Sequence, residues 1–114
     1  MYNLTVRPRR LRASEGIRDM IRENGLSVKD LVYPMFIVPG ENVCEPIQSM
    51  PGINHLSLDM AVEEAKKAYE IGIPAVLVFG LPTYKDEEGS SAWDDKSPVQ
   101  EAIRQIKSKI PNLV

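Results

Sequence analysis

Two short apolar runs decide most of what this chain can become. Asp30 to Val38 reads DLVYPMFIV, and Ile73 to Gly80 reads IPAVLVFG. Each is nearly continuous, has the length of a strand and is rich in β-branched and aromatic residues. That is the pattern of a strand buried on both faces, as in a parallel sheet. Pro34 is awkward inside the first run, because a central strand loses a ladder hydrogen bond at proline. Pro39-Gly40 ends that run. Glu41 to Asn54, with Pro46, Pro51 and Gly52, has no periodicity and reads as a long structured loop.

Helical patterns follow each run. Ser57 is placed to cap a helix whose stripe is Leu58, Ala61, Val62, Ala65, Ala68 and Tyr69, with Gly72 as its stop. Ser97, Pro98 and Gln100 predict a capping box with proline at the first helical position. Val99, Ala102, Ile103, Ile106 and Ile110 form the core face of that helix, and Pro111 stops it. Asn112 to Val114 reads as the opening of a further strand. Near the N-terminus, Ser14 caps a short helix with Ile17, Met20 and Ile21 on one face and Gly25 as its stop. Two turns of apolar face are not stable alone, so this helix has to pack on the body or on another subunit.

Strands alternating with amphipathic helices mean βαβ units and a parallel sheet. A parallel strand needs cover on both sides, and two strands with a stub cannot supply it. The sequence therefore reads as the first part of a larger α/β domain, incomplete as given.

Charge divides the chain. Residues 1–25 hold six arginines against three acids, whereas the remainder is net acidic, for a total of −2. The expected organisation is an arm with a short helix over 1–25, extended through residue 12, and a folded body over 26–114. The net charge excludes a globally basic nucleic-acid coat. One cysteine excludes a disulfide framework. No apolar run approaches the roughly 18 residues of a membrane span, and the arginine-rich start lacks the apolar region of a secretory signal. A soluble cytoplasmic protein, with neither membrane nor nucleic acid as partner, is the expectation.

Few residues offer chemistry. Cys44 and His55 are the single cysteine and histidine. A nucleophilic pair between them has no support beyond their presence, and the plainer expectation is a buried cysteine and a loop histidine. Metalloprotease, C-x-x-C, phosphate-loop and G-x-G-x-x-G motifs are missing. Arg7, Arg9, Arg10 and Arg12 cluster around Pro8, with only Tyr2 as a nearby aromatic, so a solvated or subunit-embracing arm is favoured over nucleic-acid binding. The loop Lys85 to Ser91, KDEEGSS, follows a strand C-terminus, where α/β folds place their sites. It reads as a polar surface loop or as an active-site rim, and its acids lack the alternation of a calcium loop. Phe79, at the end of the second strand, reads equally as core packing or as a surface pressed on a substrate.

Six stretches in order carry a resemblance: RPRRLR (7–12), DLVYPMF (30–36), EPIQSMPG (45–52), AVLVFGLP (75–82), KDEEGSSA (85–92) and VQEAIRQIK (99–107). Together they resemble porphobilinogen synthase, also called 5-aminolevulinate dehydratase, over essentially the whole chain. The resemblance implies the N-terminal part of a TIM (β/α)8 barrel with an extended N-terminal arm that wraps a neighbouring subunit, in a homo-octamer or hexamer. It implies a hydro-lyase that condenses and dehydrates two 5-aminolevulinate molecules to porphobilinogen on the way to haem and other tetrapyrroles. The family holds substrate on two Schiff-base lysines and uses zinc or magnesium. None of Lys29, Lys66, Lys67, Lys85, Lys96, Lys107 or Lys109 matches a catalytic position, and no metal ligand is assignable. The catalytic lysines, the cysteine-rich segment and the residues that bind the substrate carboxylate are expected beyond Val114. Only Phe79 carries over, as a hydrophobic wall of the substrate site. The segment alone is expected to be inactive. The alternatives are a non-catalytic assembly fragment, associating through its arm and an exposed sheet edge, and a small doubly wound domain with a phosphate site, which the missing glycine fingerprint disfavours.

Overall fold

The computed structural model describes residues 5–114; the first four residues of the expected arm, Tyr2 among them, lie outside the described residues. Four strands form one sheet: β1 (Val32–Ile37), β2 (Cys44–Pro46), β3 (Asn54–Leu56) and β4 (Ala75–Gly80), in the order β2-β3-β1-β4. β1 pairs in parallel with β4 along its whole length, from Val32 opposite Ala75 to Ile37 opposite Gly80. β3 is parallel to β1 and antiparallel to β2. The helices are α1 (Glu15–Met20), α2 (Leu58–Glu70) and α3 (Pro98–Lys109).

The stretch expected to be a structureless loop therefore contains the β2–β3 hairpin. Its strands are only three residues long, too short for an alternating pattern to register. A backbone bond from the Ile47 N–H to the Ile53 carbonyl at 2.9 Å extends the pairing past Pro46. The chain end pairs too. The Val114 N–H donates to the Pro74 carbonyl at 3.0 Å, and the Val76 N–H donates to the Val114 carbonyl at 2.9 Å. These two bonds flank Ala75, which is the pattern of a parallel bridge on the free side of β4.

Pro34 is tolerated for a positional reason. The Ile37 carbonyl accepts from Leu81 on the β4 side, whereas the Val38 N–H donates to Leu56 on the β3 side. Alternate residues share a side, so the missing donor of Pro34 points toward β3. That strand begins pairing only at Phe36, beyond the proline.

One face of the sheet is packed and the other is bare. Met35 and Ile37 are each 1% exposed and join Ala61, Ala65, Ala102 and Ile106 of the two long helices, with Leu56 and Leu113, in a single core. Burying a side chain of that size stabilises by about 1.5–3 kcal/mol. On the opposite face Val32, Leu77 and Phe79 remain 56%, 51% and 45% exposed. Among the described residues no element lies against that second face, so the strands are covered on one side only, as two strands and a stub were expected to be.

The helix ends follow local chemistry. Gly72, at φ +98°, closes α2 as expected. Its N–H donates to Tyr69, and the Ile73 N–H donates to Ala68, the paired bonds of a Schellman motif. Ser14 accepts from the Ile17 N–H at 3.3 Å and caps α1, but the helix ends at Met20, before Gly25. The expected capping box of α3 does not form. Ser97 makes no side-chain cap, and Gln100 reaches the loop instead. Ser57 stands at the start of α2, yet its hydroxyl serves Val43 and Asp59 rather than the helix.

From Thr5 to Leu31 no residue is buried, and within 7–12 the backbone makes a tight helical turn at Arg10–Arg12 instead of staying extended. α1 packs on that turn, not on the sheet, and Met20 is 88% exposed. The radius of gyration is 21.4 Å. A compact chain of this length measures roughly 13 Å.

Gly80 marks the tightest approach of sheet to helix: a Cβ there would lie 2.6 Å from Val99 Cγ2. Gly80→Ala is predicted to destabilise by about 1–3 kcal/mol in urea unfolding. Adding Val99→Ala should cost less than the sum of the two single changes, and simple additivity would contradict the contact.

Candidate functional site

The C-terminal ends of β1 and β4 open onto a groove of about 360 Å³. Its walls include Val38, Pro39 and Gly40 after β1, and Pro82, Tyr84, Ser91 and Lys96 after β4. Parallel α/β proteins place their sites at this edge, because only there do successive strands deliver loops to one place.

Both loops are fixed by carboxylates. The Asp59 carboxylate, in the first turn of α2, accepts from the Ser57 hydroxyl at 2.6 Å and from the Asn42 N–H at 3.1 Å. The Ser57 hydroxyl also accepts from the Val43 N–H at 2.9 Å, so the loop after β1 is tied to the start of α2. After β4, Asp86 accepts from the Ser90 N–H at 2.8 Å and from the Ser90 hydroxyl. Hydrogen bonding to Ser57 holds the Asp59 carboxyl below its ordinary value, and hydrogen bonding to Ser90 does the same for Asp86.

Phe79 lies on the bare face. Its ring stacks on Phe36 with centroids 5.3 Å apart and planes 15° from parallel, and His55 meets Phe36 edge-on at 6.4 Å. The result is an aromatic ledge below the rim, a feature the sequence reading caught only in Phe79. The register of β1 with β3 and β4 places Phe36 and His55 beside it. Phe79 is thus neither core nor covered in this chain.

The other candidates separate. Cys44 is opposite Leu56, and His55 is opposite Glu45, so strand alternation sends the cysteine and histidine to different faces. They form no pair. Cys44 is exposed rather than buried, and His55 sits in a strand rather than a loop. Among the described residues no three His, Cys, Asp or Glu side chains come together as a metal would require. Among those residues there is thus no donor set for the zinc or magnesium that the resemblance implies.

A parallel βα layer with anchored loops at its strand C-terminal edge defines an α/β protein. The sequence model of the delta-aminolevulinic acid dehydratase family matches residues 5–114. The dehydratase of Synechococcus elongatus is 49% identical over 110 residues, which are 96% of this chain and 34% of that protein. The Bacillus subtilis dehydratase is 41% identical over 95% of this chain and 33% of its own length. A crystal structure of the Toxoplasma gondii enzyme, porphobilinogen synthase in complex with its reaction product porphobilinogen, superposes with a TM-score of 0.85 at 28% identity, over 97% of this chain and 32% of that one. The chain belongs to the delta-aminolevulinic acid dehydratase family. It spans about a third of the length of these relatives.

The lowered Asp59 and Asp86 carboxyls set an acid dependence. Such a group stabilises the fold fully above its unfolded value, 3.8 here, and the contribution is lost as pH falls through the lower folded value. Asp59→Asn is predicted to flatten the fall of stability below about pH 4. An unchanged slope in acid unfolding titrations would contradict the role given to this carboxylate.

Proposed function

We propose that this chain supplies the first β/α units of a TIM barrel in a porphobilinogen synthase, which condenses and dehydrates two 5-aminolevulinate molecules to porphobilinogen in tetrapyrrole synthesis. The family match over residues 5–114 carries this reading. The product-bound Toxoplasma relative, the bare sheet face and the parallel bridge at Val114 support it. In a closed barrel the bare face is the interior, and further strands continue from the free side of β4.

The division of labour follows. Residues 26–114 form barrel wall and rim. Residues 1–25 form an arm that embraces a neighbouring subunit of a homo-oligomer, an octamer or hexamer. The absence of buried residues from Thr5 to Leu31 fits that role. The family resemblance places the Schiff-base lysines and the metal ligands in the part of the barrel beyond this segment. Phe79, backed by Phe36, serves as an apolar wall of the substrate site, excluding water from one side of the bound ketone. The enzyme works in the cytoplasm in this reading, and no helix among the described residues is long and apolar enough to cross a membrane.

A chimera tests the reading. This chain replaces the matching third of the Synechococcus elongatus dehydratase, and porphobilinogen is followed by its colour reaction. The chimera is predicted to turn over, and the 114 residues alone are predicted not to. Turnover by the isolated chain would overturn the proposal, as would a folded chimera without activity. In the active chimera Phe79→Ala is predicted to raise KM for 5-aminolevulinate roughly tenfold, equivalent to about 1.4 kcal/mol. An unchanged KM would remove Phe79 from the site.

A further inference from the structure

The loop between β4 and α3, residues 81–97, contains only one short helical turn, at Ser90–Ala92, and a connection of that length is ordinarily mobile. Here α3 reaches back and grips it. The Gln100 side-chain amide donates to the Ala92 carbonyl at 2.5 Å. One turn further along the same helix face, the Arg104 guanidinium donates to the Asp95 carbonyl at 2.6 Å and lies 3.4 Å from the Asp95 carboxylate. Arg104 is itself held by Glu101, at 3.1 Å. The gripped segment is the one that turns Ser91, Asp94 and Lys96 toward the groove. Trp93, 66% exposed, stands between the two gripped carbonyls and contributes little packing. The loop thus has almost no apolar hold of its own, and its posture depends on these polar contacts.

The grip is specific in its chemistry. Backbone carbonyls accept but do not donate, so only a donor side chain at each position can hold them. The Gln100 oxygen is buried without a hydrogen-bond partner among the described residues, so the amide nitrogen alone ties this side chain to the loop. Arg104 addresses a carbonyl and two carboxylates with one planar group, which a single ammonium cannot reproduce in full.

We infer that Gln100 and Arg104 are positioning residues, which hold the loop after β4 as a fixed rim at the C-terminal edge of the strands, beside the substrate site. They touch no substrate themselves. The inference rests on the catalytic reading given above, because that reading places the substrate at the C-terminal edge of the strands, where this loop stands.

The test uses the active chimera with Gln100→Leu and Arg104→Met, measuring KM and kcat separately together with hydrogen exchange of residues 82–97. Loss of the grip is predicted to raise KM roughly five- to tenfold with kcat changed less than about twofold, and to accelerate exchange in the loop but not in β4. Arg104→Lys, which keeps one donor for the Asp95 carbonyl, is predicted to recover part of the KM. An active parent whose variants keep its KM overturns the inference alone. Variants that lose kcat and KM together with β4 protection show a merely structural role and also overturn it. A folded but inactive parent chimera overturns the catalytic reading and the positioning role with it.

Discussion

The pairing of β1 with β4 is the constraint on which everything else rests. Six residues of each strand run in parallel register. A parallel pair cannot be closed by a tight turn, so the connection must carry a helix across one face. That helix is α2, and its alanines at 61 and 65 are fully buried, which lets it lie close against Met35 and Ile37. α3 repeats the arrangement beyond β4 and returns the chain to Val114, beside Ala75. Each unit covers the same face, so the second face accumulates unburied valine, leucine and phenylalanine. The bare face is a consequence of the topology, not a defect in the sequence.

The same repetition gathers loops at one edge. There the fold changes from apolar packing to polar anchoring. Asp59 with Ser57 holds one loop, and Asp86 with Ser90, Gln100 and Arg104 holds the other. The bonds of Ser57 are half-buried and the others exposed, and each contributes modestly to stability. Their effect is geometric: they fix two loops around the groove at the strand C-terminal edge, while the Phe36–Phe79 stack lies on the bare face of the sheet. Shape at this edge is separated from stability in the core, which is how barrel enzymes vary their chemistry without rebuilding their fold.

Much of this was legible in the residues. The runs around Met35 and Val78 are strands, the alanine stripe of α2 and the isoleucines of α3 face the core, and Gly72 stops its helix. What was hidden depended on contacts distant in sequence. A continuous apolar run says that both faces want cover, and the count of strands already said that two and a stub cannot supply it; which side chains are left bare, Leu77 and Phe79 among them, depended on register. The β2–β3 hairpin was masked by its brevity and by Pro46. Gln100 carried the signature of a capping box, yet the Ala92 carbonyl eight residues earlier claimed its amide. Phe36 and His55 joined Phe79 only through strand register, which no local pattern encodes. The family resemblance, by contrast, rested on short stretches in order, and these were complete in the sequence.

The central proposal is that this chain is one part of a closed barrel in which the bare face lines the interior. The mass of the denatured subunit in the native protein tests it most directly. A barrel of about 250 residues with an arm predicts roughly 30 kDa or more. A subunit of 12.8 kDa, the mass of this chain alone, would contradict the account and leave the aromatic face without the cover the fold demands.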